Sequence, residues 1–340
     1  MPESASITPL DGVDLLLADL DGVVYTGKNA LPYAIESINQ AQQSMRVGYI
    51  TNNASRTAAS VAGHLTELGL SVVADDVVTS PQAAIVLLEQ LVPAGSTILV
   101  VGGEGLTSVV EAHGFRVTRT ADDAPAAVIQ GFHPSVAWTD LAEAAFALRV
   151  TTPGDPGIPW VATNTDWTIP QERGTAPGNG TLVSAVHTAV GRLPVVAGKP
   201  ERAIFDAAIE RFAASTPLFL GDRLDTDILG ANRAGIASAL VLTGIDGPQQ
   251  VLAADADSRP TFLLGDLREL FEPYTTPTEV ADGADRVFHS GTSSVRLSGS
   301  TVRIDNEGAS DIDVLRAGTA AVWGAGVPIY ALDVDPGLYS

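Results

Sequence analysis

Short apolar runs alternate with segments of helical period from the start of the chain to about residue 275, and this pattern constrains the fold more than any other. Strands separated by helices become parallel neighbours, because a parallel connection has to cross back over the sheet. "VDLLLA" reads as a strand ending at Ala18, "RVGYI" as a second and "STILVVGG" as a third. Val128-Ile129 and Trp160-Val161 are shorter strand candidates, and "PLFL" is another. Val61, Leu65 and Leu68 recur at helical spacing before Gly69, a C-terminal stop. Ser80 and Pro81 predict the cap and first turn of the next helix. "TLVSAVHTAVG" is a helix closed by glycine, and "ERAIFDAAIERF" puts Ile204, Phe205, Ala208, Ile209 and Phe212 on one face. The expected class is α/β with a parallel sheet. Past residue 275 the pattern changes: "SVRL-SGS-TVRID" reads as a hairpin and "DIDVLRAGTAAVW" as a helix, together a separate small α+β appendage.

At 340 residues the chain should hold two or three domains. Its formal charge of −21 argues against DNA or RNA as a partner, since phosphate backbones attract basic surfaces. An acidic chain can still bind a small anion if a metal ion or a placed cation reverses the sign locally. The absence of cysteine removes disulfides, thiolate zinc sites and cysteine nucleophiles. "MPESASITPL" lacks the basic start and apolar stretch of a signal peptide, and the best apolar stretch is broken by Glu89, Gln90, Pro93 and Gly95. A cytoplasmic protein with no membrane partner is the expectation.

Three expected strands end in Asp19, Thr51 and Asp222, and ligands of open parallel sheets sit outside the carboxyl ends of the strands. In "LLLADLDGVVYTG", Asp19 can be a nucleophile that holds a phosphoryl group, and Asp21 can protonate a leaving alkoxide and then activate water. The same Asp-Gly also reads as a plain hairpin turn. "IYALDVDPG" repeats the D-x-D at Asp333 and Asp335 without partner motifs after it, so that copy is discounted. "TNNASR" offers the Thr51 hydroxyl and the turn amides of Asn52 and Asn53 to phosphoryl oxygens, or simply a polar strand-to-helix turn. Lys199 in "AGKP" is one of two lysines among 19 basic residues, which suggests a need for a compact point charge; a solvated lysine before a proline-started helix is the other reading. In "GDRLDTDILGANRAG", Asp222 fits a magnesium ligand, Asp227 fits a residue orienting a metal-bound water, and Asp225 fits a helix N-cap. The five histidines form no zinc motif. "ILVVGGEGLTS" begins like a dinucleotide fingerprint but has Ser108 at the third glycine.

The ordered set "DLDGVVYTG", "TNNASR", "GKP" and "GDRLDTDILGANRAG" resembles the haloacid dehalogenase (HAD) superfamily of phosphatases. Within it, the set is most similar to the branch of nitrophenyl, phosphoglycolate, glycerol 3-phosphate and pyridoxal phosphate phosphatases. The resemblance covers about residues 10 to 275 and implies a Rossmann-like core, 1–80 with 192–275, an inserted α/β cap, 81–191, and an extension, 276–340, of open role. It implies Asp19 as nucleophile, Asp21 as acid/base and Thr51 as a phosphoryl contact. Lys199 would bridge Asp19 and the phosphoryl group. Asp19, the Asp21 carbonyl and Asp222 would bind Mg²⁺, with Asp227 behind them. The chain after the nucleophile is expected to form a hairpin-like flap, so turn and active site become one stretch.

Substrate choice then falls to the cap. "ATNTDWTIPQERGTAPGNG" resembles the family's specificity loop, and Ile169 stands where pyridoxal phosphatases carry a histidine and the glycerol phosphate and phosphoglycolate enzymes an aliphatic residue. This favours a small phosphorylated polyol or acid, glycerol 3-phosphate first, with phosphoglycolate, a nucleoside monophosphate or pyridoxal phosphate as alternatives. A phospho-accepting switch domain is the non-enzyme alternative, disfavoured by the long insertion and the second aspartate. Cap-mediated dimers occur in the family, and whether this chain forms a homodimer stays open.

Overall fold

The computed structural model describes residues 7–339 apart from 151–153, 155 and 172. The chain divides into two compact units, 1–46 with 216–340 and the uninterrupted stretch 47–215.

In the first unit the strand Leu15–Ala18 is four apolar residues, all buried, and it pairs in parallel with Pro217–Gly221 in the register Leu15 to Pro217 through Ala18 to Leu220. Ala237–Val241 and Phe262–Leu264 continue the parallel pairing beyond Pro217–Gly221. Such strands read as unbroken apolar runs because parallel sheets bury both faces. A two-residue antiparallel pair, Tyr25–Thr26 with Asn29–Ala30, follows the D-x-D and gives the expected flap.

The segment after 275 is the expected small α+β extension, but it shares an apolar cluster with the core and is not a separate appendage. Thr278–Asp282, Asp285–Ser290, Ser293–Ser298 and Thr301–Asn306 form an antiparallel meander, joined in parallel by Asp333–Val334. Gly299 supplies the positive φ of 60° that the two-residue turn of the expected hairpin requires. Phe288, Val295, Leu297, Val302 and the helix Asp311–Gly324 share one apolar cluster with Leu240, Val251, Leu252 and Leu263 of the core. The discounted D-x-D is structural: Asp333 pairs with Arg303, and Asp335 accepts the Gly337 N–H.

In the second unit Arg46–Thr51 pairs in parallel with Val77–Thr79. Five parallel strands make a larger sheet, in the order Val195–Val196, Trp160–Ala162, Ala127–Gln130, Thr97–Val101, Arg116–Thr118. One face of that sheet packs Leu99, Val101, Val128, Trp160 and Ala162 against Ala144 and Leu148 of Trp138–Leu148 and Val183 and Val186 of Asn179–Val190. The α/β character and the inserted cap expected from the sequence are both present. The expected Ser80 cap is not: Ser80 is the first residue of the helix Ser80–Leu91, and its hydroxyl is drawn off to the Asn52 carbonyl at 2.7 Å. Among the described residues no helix is long and apolar enough to cross a membrane.

Candidate active site

Because Leu15–Ala18 and Pro217–Gly221 are paired neighbours, the residues that follow them, Asp19 and Asp222, leave the sheet side by side. The Asp19 N–H extends the ladder to the Leu220 carbonyl at 2.9 Å. A wide π-helical turn, Leu224–Ile228, a class that recurs at functional sites, then returns Asp227 beneath them. Asp227 Oδ2 accepts the N–H groups of Asp222 and Arg223 at 3.1 and 3.2 Å. One carboxylate oxygen from each of Asp19, Asp222 and Asp227 lies within 4.8 Å of the others, and Asp222 and Asp227 are buried.

Gathering three carboxylates in a buried place is unfavourable without a cation. Hard oxygen donors on short side chains suit Mg²⁺ better than a thiophilic metal. The surrounding backbone is cut to fit them: a Cβ on Gly22 would stand 2.2 Å from Asp222 Oδ2, and one on Gly244 2.0 Å. The Ile245 N–H holds that same oxygen at 2.8 Å. These residues could therefore hold a divalent cation.

Asp21 is exposed and forms a bridge with Tyr25. The N–H groups of Val23, Val24 and Tyr25 all point at the Leu20 carbonyl, so the chain turns tightly just past Asp21. Asp225 does not cap a helix. It lies within the wide turn, where its carboxylate reaches the Arg223 guanidinium in two bonds of 3.0 and 2.8 Å. Sequence reading missed Gly244 and Asp246, which lie past the next strand in "TGIDG" and carry no recognisable spacing. Asp246 accepts the Leu224 N–H at 2.6 Å, and burial pushes its carboxyl above the usual range against that bond.

The second unit gathers the remaining expected residues. Thr51 ends its strand and is buried, with Oγ1 accepting the Asn53 N–H at 3.1 Å. Asn53 Oδ1 accepts both the N–H and the hydroxyl of Ser55, at 2.9 and 2.7 Å, which fixes the turn. Lys199 is 4% exposed, and its main chain is tied to Asn52: its N–H donates to Asn52 Oδ1 at 2.8 Å, and its carbonyl accepts from Asn52 Nδ2 at 3.0 Å. Ile169 is half-buried in the hairpin Thr168–Gln171 with Gly174–Pro177, opposite Ala176.

The sequence model of haloacid dehalogenase-like hydrolases matches residues 16–116, and a HAD-hydrolase-like model matches 196–270. D-glycerol 3-phosphate phosphatase of Mycobacterium tuberculosis is 46% identical over 259 residues, covering 76% of this chain and 71% of that protein. The structure of glycerol phosphate phosphatase from Mycobacterium tuberculosis in complex with magnesium superposes with a TM-score of 0.82 at 38% identity, over 96% of this chain and 95% of that one. 4-Nitrophenylphosphatase from Thermotoga maritima gives a TM-score of 0.70 at 30% identity, over 78% of this chain and 98% of its own. With its motifs in family order and its acidic strand ends converging, the chain belongs to the haloacid dehalogenase superfamily and is one of its phosphoric monoester hydrolases.

Proposed function

We propose that the chain hydrolyses glycerol 3-phosphate to glycerol and phosphate through an aspartyl-phosphate at Asp19. The buried Asp19–Asp222–Asp227 cluster carries the reading of the chemistry. The aliphatic Ile169 and the 46% identity to a D-glycerol 3-phosphate phosphatase support the substrate.

In the first step an Asp19 carboxylate oxygen attacks phosphorus, the ester oxygen leaves, and Asp21 gives that oxygen its proton. In the second, Asp21 takes a proton from water, the hydroxide attacks the phosphorus of the acyl phosphate, and Asp19 is released with inorganic phosphate. The Thr51 hydroxyl and the turn amide of Asn52 hold phosphoryl oxygens, with the Asn53 N–H on Thr51 Oγ1 orienting that hydroxyl, and Lys199 offsets their charge. Bound at Asp19, the Asp21 carbonyl and Asp222, Mg²⁺ would neutralise carboxylates and phosphoryl charge together. Asp227, holding two backbone N–H groups, keeps the Asp222 loop in shape for that role.

The test is phosphate release from glycerol 3-phosphate, phosphoglycolate, pyridoxal phosphate, UMP and 4-nitrophenyl phosphate, with and without a chelator, by wild type and Asp19→Asn. Preference for glycerol 3-phosphate, lost on chelation and in the variant, is the expected result. A different favourite would move the substrate and keep the chemistry. One stable phosphate trapped per chain without turnover would make the protein a switch.

A further inference from the structure

Asn52 stands in the turn expected to contact phosphate, yet both ends of its side-chain amide are taken up by protein. Oδ1 accepts the Lys199 N–H at 2.8 Å; Nδ2 donates to the Lys199 carbonyl and to Asp166 Oδ1, each at 3.0 Å. Its own carbonyl accepts twice, from Asn164 Nδ2 and the Ser80 hydroxyl, both at 2.7 Å. Gly198 lets the lysine loop come this close: a Cβ there would stand 2.5 Å from Asn52 Oδ1 and 2.6 Å from the Thr163 carbonyl.

The far side of this network is the segment leading to Ile169. Asp166 N–H donates to Asn164 Oδ1 at 3.2 Å, and Asn179 Nδ2 donates to the Asn164 carbonyl at 2.7 Å. The first turn of the helix Asn179–Val190 closes on the same segment, with the Gly180 N–H on the Asp166 carbonyl at 2.9 Å and the Gly178 N–H on that of Trp167 at 2.8 Å. No side chain fits between them, since a Cβ on Gly178 or Gly180 would fall 2.2 Å from a carbonyl oxygen. One amide therefore sets the register of two loops, the one bearing Lys199 and the one that runs into the Ile169 hairpin.

We infer that Asn52 is a positioning residue that fixes Lys199 relative to the substrate-recognition loop. The inference rests on the reading of Lys199 as the phosphoryl-binding cation. It assigns to the Asn52 side chain an action through lysine, not a contact with the ester. A neutral amide is required because it must accept from one main-chain N–H and donate to a carbonyl and a carboxylate together, which neither aspartate nor serine can do.

The test is a set of double-variant cycles with 4-nitrophenyl phosphate at saturating magnesium, so that the natural substrate does not matter. Lys199→Ala alone examines the underlying reading; undiminished turnover would remove the lysine from the chemistry and Asn52 with it. With that loss in hand, Asn52→Ala should lower kcat about tenfold or more while KM moves less than about threefold. Added to Lys199→Ala, it should cost less than about threefold, because a residue acting through lysine has nothing left to act through. Equal losses in both backgrounds would overturn the proposal and leave the Lys199 reading standing. Should Asn52→Ala not fold, a charge exchange takes its place: Asn52→Asp sets a carboxylate against Asp166, and adding Asp166→Asn restores a donor. A gain in kcat of about fivefold or more over Asn52→Asp is expected; no gain overturns the inference.

Discussion

Gly244 has no positive φ, so its backbone does not call for glycine; the Asp222 carboxylate does. Gly244→Ala should displace that carboxylate and raise the magnesium concentration for half-maximal activity about tenfold or more, read from a metal titration at fixed substrate. Retained metal dependence would mean the loop yields instead. Asp19 and Asp222 were legible in the sequence because each directly follows an apolar run and, with Thr51, they form a set of polar strand ends of complementary chemistry. Gly244 and Asp246 were not, since what makes them matter is proximity to a neighbouring strand end. Asp225 was misread as a cap because the spacing does not reveal that Arg223, two residues earlier, captures its carboxylate.

Arg316, in the helix Asp311–Gly324, shows how one element is tied to the next. Its guanidinium is buried, with Nε and Nη2 on the Leu263 carbonyl at 3.0 and 2.8 Å, Nη1 on Asp313 at 3.1 Å and Nη2 on Glu269 at 2.5 Å. It also stacks 4.4 Å from the centre of the Tyr274 ring. Arg316→Met takes the cation from two carboxylates that keep only neutral donors, Ser290 and Gly265, and should cost about 3–5 kcal/mol in urea unfolding; a loss under 1 kcal/mol would show the cluster relaxes freely. The short helical segment Leu267–Phe271 carries a pH effect of definite sign. Bonds from the Arg268 side chain, aided by the Arg268 N–H and opposed by burial, hold the Asp266 carboxyl below the usual range. A lowered folded pKa means this stabilisation is complete above the ordinary aspartate value of about 3.9 and fades as pH falls through the lower one. Wild type and Asp266→Asn should therefore differ in stability at pH 6 and converge toward pH 2. A constant gap would refute the assignment. Helices and strands of strong period were legible from the chain alone, whereas the ties of Arg316 to Leu263 and Glu269 span 53 and 47 positions and leave no local pattern.

For the whole molecule, the extension is part of the fold's interior. The family sequence models end at residue 270, and the Thermotoga maritima enzyme is matched over 98% of its length by 78% of this chain. Yet Leu240, Val251, Leu252 and Leu263 share their cluster with Phe288, Val295, Leu315 and Val322, and the Trp323 indole N–H donates to the Val251 carbonyl at 3.2 Å. Ending the chain after residue 275 would bare several large side chains, each worth about 1.5–3 kcal/mol when buried. That rivals the usual stability of about 5–15 kcal/mol, so the shortened chain should bind a hydrophobic dye and lose its cooperative melt. A sharp transition near the full-length midpoint would show that the core stands alone. The sequence marked where the pattern changes but could not show this sharing, because antiparallel strands and a helix of ordinary apolar content do not reveal what they cover.

The interrupted first unit bears on how the protein is made. A chain leaving the ribosome N-terminus first can complete 47–215 as one stretch while Leu15–Ala18 still waits for Pro217–Gly221 to be synthesised. The strand that leads into Asp19 is thus translated early and gains Pro217–Gly221 late. Over that interval the edge that will take Pro217–Gly221 stands open to wrong partners, a hazard that a nascent-chain chaperone, or slow growth in the cold, would relieve.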